Sequence, residues 1–212
     1  MPARPPVSLA GALVGHHLAR LRDHATPSAD FRRSSSVLAS LVVAEALRDL
    51  EVRGAVVQTP LAPADVQLPA RRVTLVPILR AGLSMLQPAL DLLPDDTRVG
   101  FLGMARDEQT ARPLSYLESL PSDLGDDEVV VLDPMIATGG SSAAALAFLR
   151  DAGATRLHLL GLIAAPEGLA RVTAADPEVR VTVAVIDQGL NERHFIVPGL
   201  GDAGDRLYSQ SG

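Results

Sequence analysis

The residues with the clearest chemical meaning lie in residues 129–142 (VVVLDPMIATGGSS). The apolar residues 129–132 predict a buried parallel strand, and the alanine-rich residues 143–150 predict a helix. In the turn between them, backbone N–H groups, hydroxyl groups and the positive end of the helix can all face one anion. The pattern indicates a phosphate site, with an ordinary strand-to-helix turn as the alternative for a short glycine motif taken alone.

Asp133 follows that predicted strand, at the edge where open α/β sheets bind their ligands. A bare carboxylate repels a phosphate unless the ligand also carries hydroxyl groups or a divalent cation. A phosphorylated sugar meets both requirements, and it is the ligand class that this segment predicts.

Two further segments place an arginine after a predicted strand. Residues 76–82 (VPILRAG) contain Arg80, whose planar guanidinium can hold a diphosphate or can form a surface ion pair. Residues 103–113 predict an extended, mobile arm that carries Arg106 over a bound anion, with an ordinary charged hairpin as the alternative.

The carboxyl-terminal residues 186–207 combine four glycines with Pro198. They predict a folded loop that presents backbone groups, in which Asp202 is surrounded by small residues. The alternative is a glycine-rich tail that packs against the body of the protein.

Composition excludes several reaction classes. The 19 basic residues are all arginine, so a Walker-type phosphate loop, pyridoxal phosphate chemistry and Schiff-base chemistry have no lysine to use. Cysteine is absent, which excludes thiol catalysis, cysteine-ligated zinc and disulfides.

The charge and hydropathy of the chain bear on its surroundings. A net charge of -6 argues against a broad nucleic-acid surface. We find no apolar run long enough to span a bilayer and no secretory signal pattern in residues 1–10, so we expect no membrane partner and a cytoplasmic location.

The 212 residues predict a single domain of the α/β class. Two helices are expected within residues 1–50, the first with Val14, Leu18 and Leu21 on one face and the second over residues 31–50. Strands are expected at residues 73–79, 99–104, 129–132, 157–164 and 181–186, with helices after the first, third and fourth. Repeated strand–helix alternation predicts a doubly wound, mostly parallel sheet. Residues 58–72 predict a connection or short hairpin, and residues 122–128 predict an acidic surface turn.

Five segments together resemble the uracil phosphoribosyltransferases, which belong to the type I phosphoribosyltransferases. They occur in the order and spacing of that family and cover nearly the whole chain: residues 76–82 (VPILRAG), 133–141 (DPMIATGGS), 164–168 (AAPEG), 187–192 (DQGLNE) and 197–206 (VPGLGDAGDR). The Asp133-Pro134 pair is similar to the uracil branch, because most phosphoribosyltransferases carry two successive acidic residues there.

The resemblance implies transfer of a phosphoribosyl group from 5-phosphoribosyl 1-diphosphate (PRPP) to N1 of uracil, giving UMP and diphosphate in pyrimidine salvage. It also implies an arm over residues 104–120, a base-binding loop over residues 187–206, and an unusual backbone, such as a cis peptide, near Leu79-Arg80. The implied PRPP-binding residues are Arg80, Arg106, Asp133, Pro134, Met135, Ile136, Ala137, Thr138, Gly139, Gly140, Ser141 and Asp202, of which Arg80, Arg106 and Asp202 are also expected to act in catalysis.

Uracil is expected to contact Ile196, Gly201, Asp202 and Ala203, with main-chain atoms reading the base. Mg²⁺ is the implied cofactor, held mainly by the diphosphate of PRPP and by water, with no protein ligand assigned. The family also implies a homo-oligomer, either dimer or tetramer, and GTP as a candidate allosteric effector. The chain departs from the family pattern at His194, where a small residue often precedes the aromatic position.

Three alternatives remain open on sequence. A pyrimidine-responsive regulator with this fold would bind RNA, for which the negative net charge is unfavourable. A related transferase would use orotate or a purine. A PRPP-binding protein would bind the sugar diphosphate without turnover.

Overall fold

The computed structural model describes residues 4–106 and 113–208. The strands are β1 (Val7–Ser8), β2 (Val52–Gln58), β3 (Pro63–Pro69), β4 (Val73–Leu79), β5 (Arg98–Val99), β6 (Phe101–Arg106), β7 (Pro113–Ser119), β8 (Glu128–Leu132), β9 (Met135–Ile136), β10 (Arg156–Ala164), β11 (Arg180–Ile186), β12 (Gly189–Leu190) and β13 (Ile196–Val197). The α-helices are α1 (Ala12–Arg22), α2 (Ser28–Ala46), α3 (Leu83–Leu90), α4 (Gly140–Asp151), α5 (Pro166–Ala175) and α6 (Ala203–Tyr208).

The main sheet has the strand order β1-β11-β10-β8-β4-β6-β7, with β5 beside β4 and β9 beside β10. All of its pairings are parallel except that of β7, which runs antiparallel to β6 at one edge. The central strands β4 and β8 are apolar along their length because both of their faces are covered, as expected in a parallel sheet. The predicted mostly parallel α/β sheet is confirmed.

Two hydrophobic cores lie on opposite faces of this sheet. Helices α1, α2, α3 and α6 contribute to one, together with Val130 and Leu132 of β8. Helices α4 and α5 contribute to the other, together with Val129 and Val131 of the same strand. Successive strand residues point to opposite faces, so β8 supplies both cores and the sheet is doubly wound.

The connections on either side of the β4–β8 pair lead in opposite directions. From β4 the chain passes through α3 to β6 on one side, and from β8 it passes through α4 to β10 on the other. Helices α3 and α4 also cover opposite faces. The carboxyl ends of β4 and β8 are therefore the point where the strand order reverses, which is where open α/β sheets bind ligands.

The five predicted strands and the three following helices are confirmed, with small shifts at their ends. The predicted second helix was too long, because α2 ends at Ala46 and a turn follows over residues 47–49. A two-residue strand, β1, precedes the first helix and pairs with β11, so the amino-terminal 50 residues are not purely helical.

A hairpin occupies the stretch predicted as a connection or short hairpin. Strands β2 and β3 pair antiparallel from Val52 with Pro69 to Gln58 with Pro63, and they form a separate two-stranded sheet. The hairpin starts six residues earlier than predicted. The sequence did not indicate β2, because this strand is exposed along nearly its whole length and lacks the apolar run of a buried strand.

The predicted arm consists of β6 and β7 on either side of residues 107–112, which lie outside the described residues. β6 begins inside the main sheet, where Leu102 pairs with Ile78, and then pairs with β7 as far as Arg106 and Pro113. The arm is thus an extension of the sheet at its antiparallel edge.

The predicted acidic surface turn is partly wrong. Asp127 is 2% exposed, and its carboxylate accepts hydrogen bonds from Thr74, Arg98 and Arg72. These donors and burial act in opposite directions, and the net effect is a lowered pKa for the Asp127 carboxyl. Arg72 and Arg98, both distant from Asp127 in sequence, therefore allow this acidic side chain to be buried.

In the residues that the structure describes, none of the helices combines the length and the apolar character needed to cross a bilayer.

Candidate active site

A cavity of about 230 Å³ lies at the carboxyl ends of β4 and β8. Its lining comes from four places in the chain: the end of β4, the arm strand β6, the residue after β8 and the turn into α4. The lining residues are Ile78, Leu79, Arg80, Ala81, Met104, Asp133, Met135, Ala137, Thr138, Gly139, Gly140, Ser141 and Ser142. Two segments that the sequence marked as anion-binding thus face the same space.

The turn into α4 has the backbone that its glycines predict. Gly139 has φ 69, and a Cβ there would overlap the carbonyl oxygen of Gly168 in α5. The first turn of α4 contains no acidic residue, and its cap residue makes no side-chain hydrogen bond. The first turn of α4 therefore has no acidic side chain of its own to offset the positive end of the helix dipole at the cavity.

Asp133 is the acidic residue of the cavity. The hydroxyl of Ser142 donates a 2.6 Å hydrogen bond to its Oδ2, and the backbone N–H of Met135 donates another to the carboxylate. Burial raises the pKa of the Asp133 carboxyl to about 6, and these two hydrogen bonds oppose that rise. The carboxylate is held in one orientation while it remains ionised at neutral pH.

Arg80 lies just after β4, on the other side of the cavity. Its side chain forms no ion pair with any residue of the described ranges, so the ion-pair alternative is not what this part of the structure shows. The Leu79-Arg80 peptide bond is cis, as the family resemblance implied. Gly82 allows the turn to pack closely, because a Cβ there would overlap the carbonyl oxygen of Leu132.

Some of the predicted PRPP-binding residues do not line the cavity. The carbonyl oxygen of Pro134 accepts hydrogen bonds from the N–H groups of Leu162 and Ile163 at 3.0 and 3.1 Å. Ile136 is fully buried in the hydrophobic core. Pro134 and Ile136 join the segment after β8 to strand β10. The neighbouring Met135 and Ala137 face the cavity.

Arg106 is the last residue of β6, and its side chain lies outside the part of the chain that the structure describes. Met104, two residues earlier on the same strand, lines the cavity. The root of the arm is therefore at the site, and the prediction for Arg106 stays a prediction.

The carboxyl-terminal loop is folded rather than a loose tail. Strands β12 and β13 pair antiparallel, and a cis bond joins Val197 to Pro198. The predicted uracil-contacting residues lie after or within β13: Ile196 and Ala203 are buried, and Gly201 and Asp202 are exposed. None of them lines the cavity of about 230 Å³, so the structure does not bring the two predicted half-sites together in this cavity.

Asp202 has a structural contact that the sequence did not reveal. Its Oδ1 accepts the backbone N–H of Asp205 at 3.1 Å, at the start of α6. This is the geometry of a helix N-cap. Any experiment on Asp202 must separate this capping contact from a catalytic role.

An arginine of α1 fixes the beginning and the middle of the loop. The two terminal nitrogens of Arg22 donate to both carboxylate oxygens of Asp187, at 3.0 and 2.6 Å. Arg22 also donates to the carbonyl oxygen of Gly199, whose own N–H donates to Asp187 at 2.8 Å. The loop is thereby closed between residues 187 and 199.

A second arginine fixes the end of the loop. Arg206 donates to the carbonyl oxygens of Leu21, Leu200 and Asp23, and its guanidinium lies 4.3 Å from the centre of the Phe31 ring. The amino-terminal helices therefore act as the support for the carboxyl-terminal loop.

Residues 164–168 connect the phosphate loop with the carboxyl-terminal loop. On one side, a Cβ at Gly168 would overlap the carbonyl oxygen of Ala137. On the other, the side chain of Glu167 accepts the N–H of Leu190 at 3.1 Å, and the carbonyl oxygen of Ala164 accepts the N–H of Asp187 at 2.8 Å. One short segment thus sets the distance between the two predicted half-sites.

The chain is similar to known proteins over nearly its whole length. The sequence model of the family described as "Uracil phosphoribosyltransferase" matches residues 8–210. The chain belongs to this family. It is 48% identical to the uracil phosphoribosyltransferase of Thermus thermophilus over 197 residues, covering 92% of this chain and 94% of the relative. It is 44% identical to that of Clostridium botulinum over 201 residues, covering 94% and 96%.

Solved structures share the fold of this chain. The AQ2163 protein of Aquifex aeolicus superposes with a TM-score of 0.90 at 37% identity, covering 97% of this chain and 99% of that one. A hypoxanthine-guanine phosphoribosyltransferase of Bacillus anthracis superposes with a TM-score of 0.52 at 12% identity, covering 76% and 80%, and shows a shared fold alone. The chain is an enzyme of phosphoribosyl transfer, with PRPP and uracil as the substrates that its family implies.

His194 has an uncommon backbone conformation. Its φ is 62, in the left-handed region, where His is one of the more frequent residues other than glycine. Its N–H donates to the carbonyl oxygen of Asn191, and the side chain of Asn191 accepts the N–H groups of Arg193 and Phe195. Asn191 therefore stabilises the turn that contains His194.

Sequence reasoning missed several residues that organise the site. Glu167 and Asp187 lay inside segments that matched the family, but their contacts join parts of the chain far apart in sequence. Arg22 had no local signal, since it is one of several arginines in the amino-terminal helices. Ser142 was the last residue of the phosphate-loop segment and was not assigned a contact.

Proposed function

We propose that the chain forms UMP with the cavity at β4 and β8 as the PRPP site and residues 187–206 as the uracil-binding loop. The observation that carries this proposal is the convergence of Arg80, Asp133 and the turn into α4 on one cavity. Arg80 is suited to the diphosphate of PRPP, Asp133 to its ribose hydroxyls, and the turn into α4 to its 5-phosphate.

The 5-phosphate would be bound by residues 137–141. The N–H groups of this turn and the hydroxyl groups of Thr138 and Ser141 can donate to phosphate oxygens, and the positive end of α4 adds to the attraction. Asp133 would accept the two ribose hydroxyls, because a carboxylate has acceptor sites left after its bonds with Ser142 and Met135.

The diphosphate would be held by Arg80 and Arg106. Among the described residues that line the cavity, Arg80 and Asp133 are the ionisable side chains, so even with Arg106 added two arginines would face a leaving group with several negative charges. This charge balance fits a bound Mg²⁺ that keeps most of its ligands from PRPP oxygens and water. When bound, the cation neutralises charge on the departing diphosphate. The described residues contain no cluster of three or more His, Cys, Asp or Glu that would hold it without the substrate.

The uracil would be read by the backbone of residues 196–203. Uracil presents acceptor, donor and acceptor at O2, N3–H and O4, and fixed N–H and C=O groups can match that order. Cytosine reverses the pattern at N3 and C4. Each buried group left unpaired costs about 1–3 kcal/mol, so strong discrimination against cytosine is expected.

In the reaction, the bond from C1 of the ribose to diphosphate breaks, the bond to N1 of uracil forms, and the N1 proton is lost. C1 becomes cation-like, so the protein's task is to stabilise the leaving charge, align N1 and exclude water. Asp202, on the exposed side of the loop, would either remove the N1 proton or order the water shell around the metal–diphosphate group.

We also propose that the enzyme is a homo-oligomer that assembles through the β2–β3 hairpin. The hairpin forms its own sheet and exposes a group of large apolar side chains: Val52, Val56, Val57, Leu61 and Leu68. Val52 and Val56 are four residues apart in β2 and so lie on the same face, and exposed apolar groups of this kind are typical of protein interfaces. A cytoplasmic location is proposed because highly charged PRPP and UMP do not cross a bilayer unaided. The proposal that GTP is an effector rests on the family alone, and rate measurements with and without GTP test it.

The test of the proposed function is product analysis with PRPP, Mg²⁺ and a panel of bases. We expect UMP and diphosphate from uracil, and little or no product from cytosine, orotate, hypoxanthine or guanine. Equal turnover of uracil and cytosine would contradict the base-reading scheme. Binding of PRPP without diphosphate release on addition of uracil would contradict the enzymatic function, and salt-dependent RNA binding in a shift assay would favour a regulator.

A further inference from the structure

Ser142 is an unusual residue for its position in α4. The buried face of this helix is formed by Ser142, Ala145, Leu146 and Leu149, at the spacing expected for a stripe that packs on a sheet. Three of these four residues are apolar, and Ser142 is 1% exposed. A buried hydroxyl without a partner is unfavourable, so the contact that it makes explains why a serine is accommodated there.

That contact is the 2.6 Å hydrogen bond to Oδ2 of Asp133. The neighbouring Ser141 is exposed and points away from the core, so the two adjacent hydroxyls have different surroundings. A carboxylate has about four acceptor sites. Ser142 and the N–H of Met135 occupy two of them, which leaves two for the two hydroxyls of a ribose.

We infer that Ser142 is a positioning residue, which holds the Asp133 carboxylate so that its remaining acceptor sites face the ribose hydroxyls of PRPP. The inference deepens the proposed function and rests on it for the identity of the sugar. Ser142 itself does not need to touch the substrate. It acts by fixing the rotation of the carboxylate and by donating to its ionised form.

The charge state of Asp133 gives the inference a measurable consequence. A hydrogen bond donated to a carboxylate favours ionisation, so removal of the Ser142 hydroxyl raises the pKa of Asp133 further above its value of about 6. Arg80 is the other ionisable side chain that lines the cavity, and burial is the main cause of the raised pKa. A protonated Asp133 offers fewer acceptor sites to the ribose, so PRPP binds less tightly at acid pH.

The first measurement is a ¹³C NMR titration of protein labelled at the aspartate carboxyl groups, without substrate. Asp133→Asn identifies the Asp133 signal by its loss. We expect this signal to titrate at higher pH in Ser142→Ala than in the unmodified protein, and Ser142→Thr to restore the original midpoint. An unchanged midpoint in Ser142→Ala would overturn the inference, whether or not the protein turns over PRPP.

The second measurement is the KM for PRPP as a function of pH. For Ser142→Ala we expect a rise of roughly fivefold at pH 6 and less than about twofold at pH 8.5, as the protonated fraction of Asp133 dictates. The KM for uracil at saturating PRPP should stay within about twofold. The titration of PRPP itself is common to both proteins and cancels in the comparison.

Ser35→Ala is the matched control. It removes a hydroxyl from a serine that is 2% exposed in α2, which is away from the cavity lining. Ser35→Ala should leave the KM for PRPP unchanged at both pH values. A merely structural role for Ser142 predicts a change in KM that does not depend on pH, and that result would overturn the inference. Absence of turnover in the unmodified protein would instead overturn the proposed function, and the NMR result would still decide the role of Ser142.

Discussion

The guanidinium of Arg22, in the first helix, makes two hydrogen bonds with the carboxylate of Asp187, which lies 165 residues later at the start of the carboxyl-terminal loop. The Asp187 side chain is 3% exposed, and the same carboxylate accepts the N–H of Gly199. The amino-terminal helix therefore determines the shape of the loop that we propose binds uracil.

Replacing Arg22 should weaken uracil binding more than PRPP binding. Arg22→Ala leaves a buried carboxylate with the Gly199 N–H as its remaining partner among these contacts, and should lower the free energy of unfolding by on the order of 3 kcal/mol. Arg22→Lys keeps the charge but loses the two parallel bonds, so it should be better folded and still raise the KM for uracil. Steady-state kinetics and urea unfolding measure both effects.

The control for Arg22 is Arg48→Ala, since Arg48 is a surface arginine paired with Glu45 and Asp49. Exposed pairs contribute about 0–1 kcal/mol, so this change should alter neither KM appreciably. If Arg22→Lys raised the KM for uracil and the KM for PRPP equally, the uracil-binding loop would not depend on the contact between Arg22 and Asp187 in the way proposed.

Gly139→Ala should damage the PRPP site through two effects that can be separated. An alanine at φ 69 is strained, and its Cβ would also overlap the carbonyl oxygen of Gly168. Gly153 has φ 92 and no atom within 4 Å of a Cβ position, so Gly153→Ala measures the backbone effect alone, about 1–2 kcal/mol. We expect Gly139→Ala to lose more stability in thermal unfolding and to raise the KM for PRPP. Equal stability losses, with an unchanged KM, would argue against the close contact.

Asp202→Asn and Asp202→Ala should separate catalysis from helix capping. Asparagine caps helices about as well as aspartate, so Asp202→Asn should fold normally and lose activity, by about a hundredfold if Asp202 removes the N1 proton. Asp202→Ala should lose the cap as well, at a cost of about 1 kcal/mol. The measurements are kcat and the thermal midpoint. Normal kcat in Asp202→Asn would show that its charge takes no part in the reaction.

Asp133→Asn should make the protein more stable at neutral pH and less active. Burial raises the pKa of this carboxyl to about 6 in the folded chain, from its ordinary value of 3.8. Below about pH 4 both states are protonated, and between pH 4 and 6 the unfolded state loses its proton first. The ionised carboxyl therefore destabilises the fold above pH 6, by on the order of 3 kcal/mol, and Asn removes that effect.

Urea unfolding of Asp133→Asn and of the unmodified protein at pH 4 and pH 7.5 measures the difference in their free energies of unfolding. The gain in stability should be present at pH 7.5 and absent at pH 4, while the KM for PRPP rises at pH 7.5. A variant that is less stable than the unmodified protein at pH 7.5 would be inconsistent with the raised pKa.

Charged residues on the β2–β3 hairpin should disrupt the proposed oligomer. Val56 and Leu61 are 68% and 96% exposed, so Val56→Asp with Leu61→Asp should not disturb the fold of a single chain. We expect light scattering to show a smaller assembly for this double variant. Asp65→Ala, on the same hairpin, is a control that adds no charge. A monomeric unmodified protein would refute the proposal directly.

The sheet was predictable because its buried strands are continuous apolar runs. Strand β4 was predicted at its observed bounds, since both of its faces are covered and nearly every residue is apolar. Strand β2 was missed because it is exposed and belongs to a separate hairpin. Asp127 was expected on the surface, because nothing in its own neighbourhood indicates that arginines from other strands neutralise it.

The site was predictable in part for the same reason. Arg80, Asp133 and the glycines of the phosphate loop each belong to a short motif at the end of a strand, so the sequence alone located them in the cavity lining. Arg22 and Glu167 make contacts with residues that are distant in sequence. Ser142 lies on the buried face of α4, and its contact is with Asp133 before the helix. Such contacts depend on how the elements pack, and no local pattern of residue types encodes them.

Residues 164–168 have a practical consequence for redesign. They touch the phosphate loop at Ala137 and the carboxyl-terminal loop at Asp187 and Leu190, so they act as a fixed spacer between the proposed PRPP site and the proposed uracil-binding loop. An engineer who exchanges residues 187–206 for those of a homologue would keep the spacing dictated by residues 164–168. A larger base would then require a longer spacer as well as a wider loop.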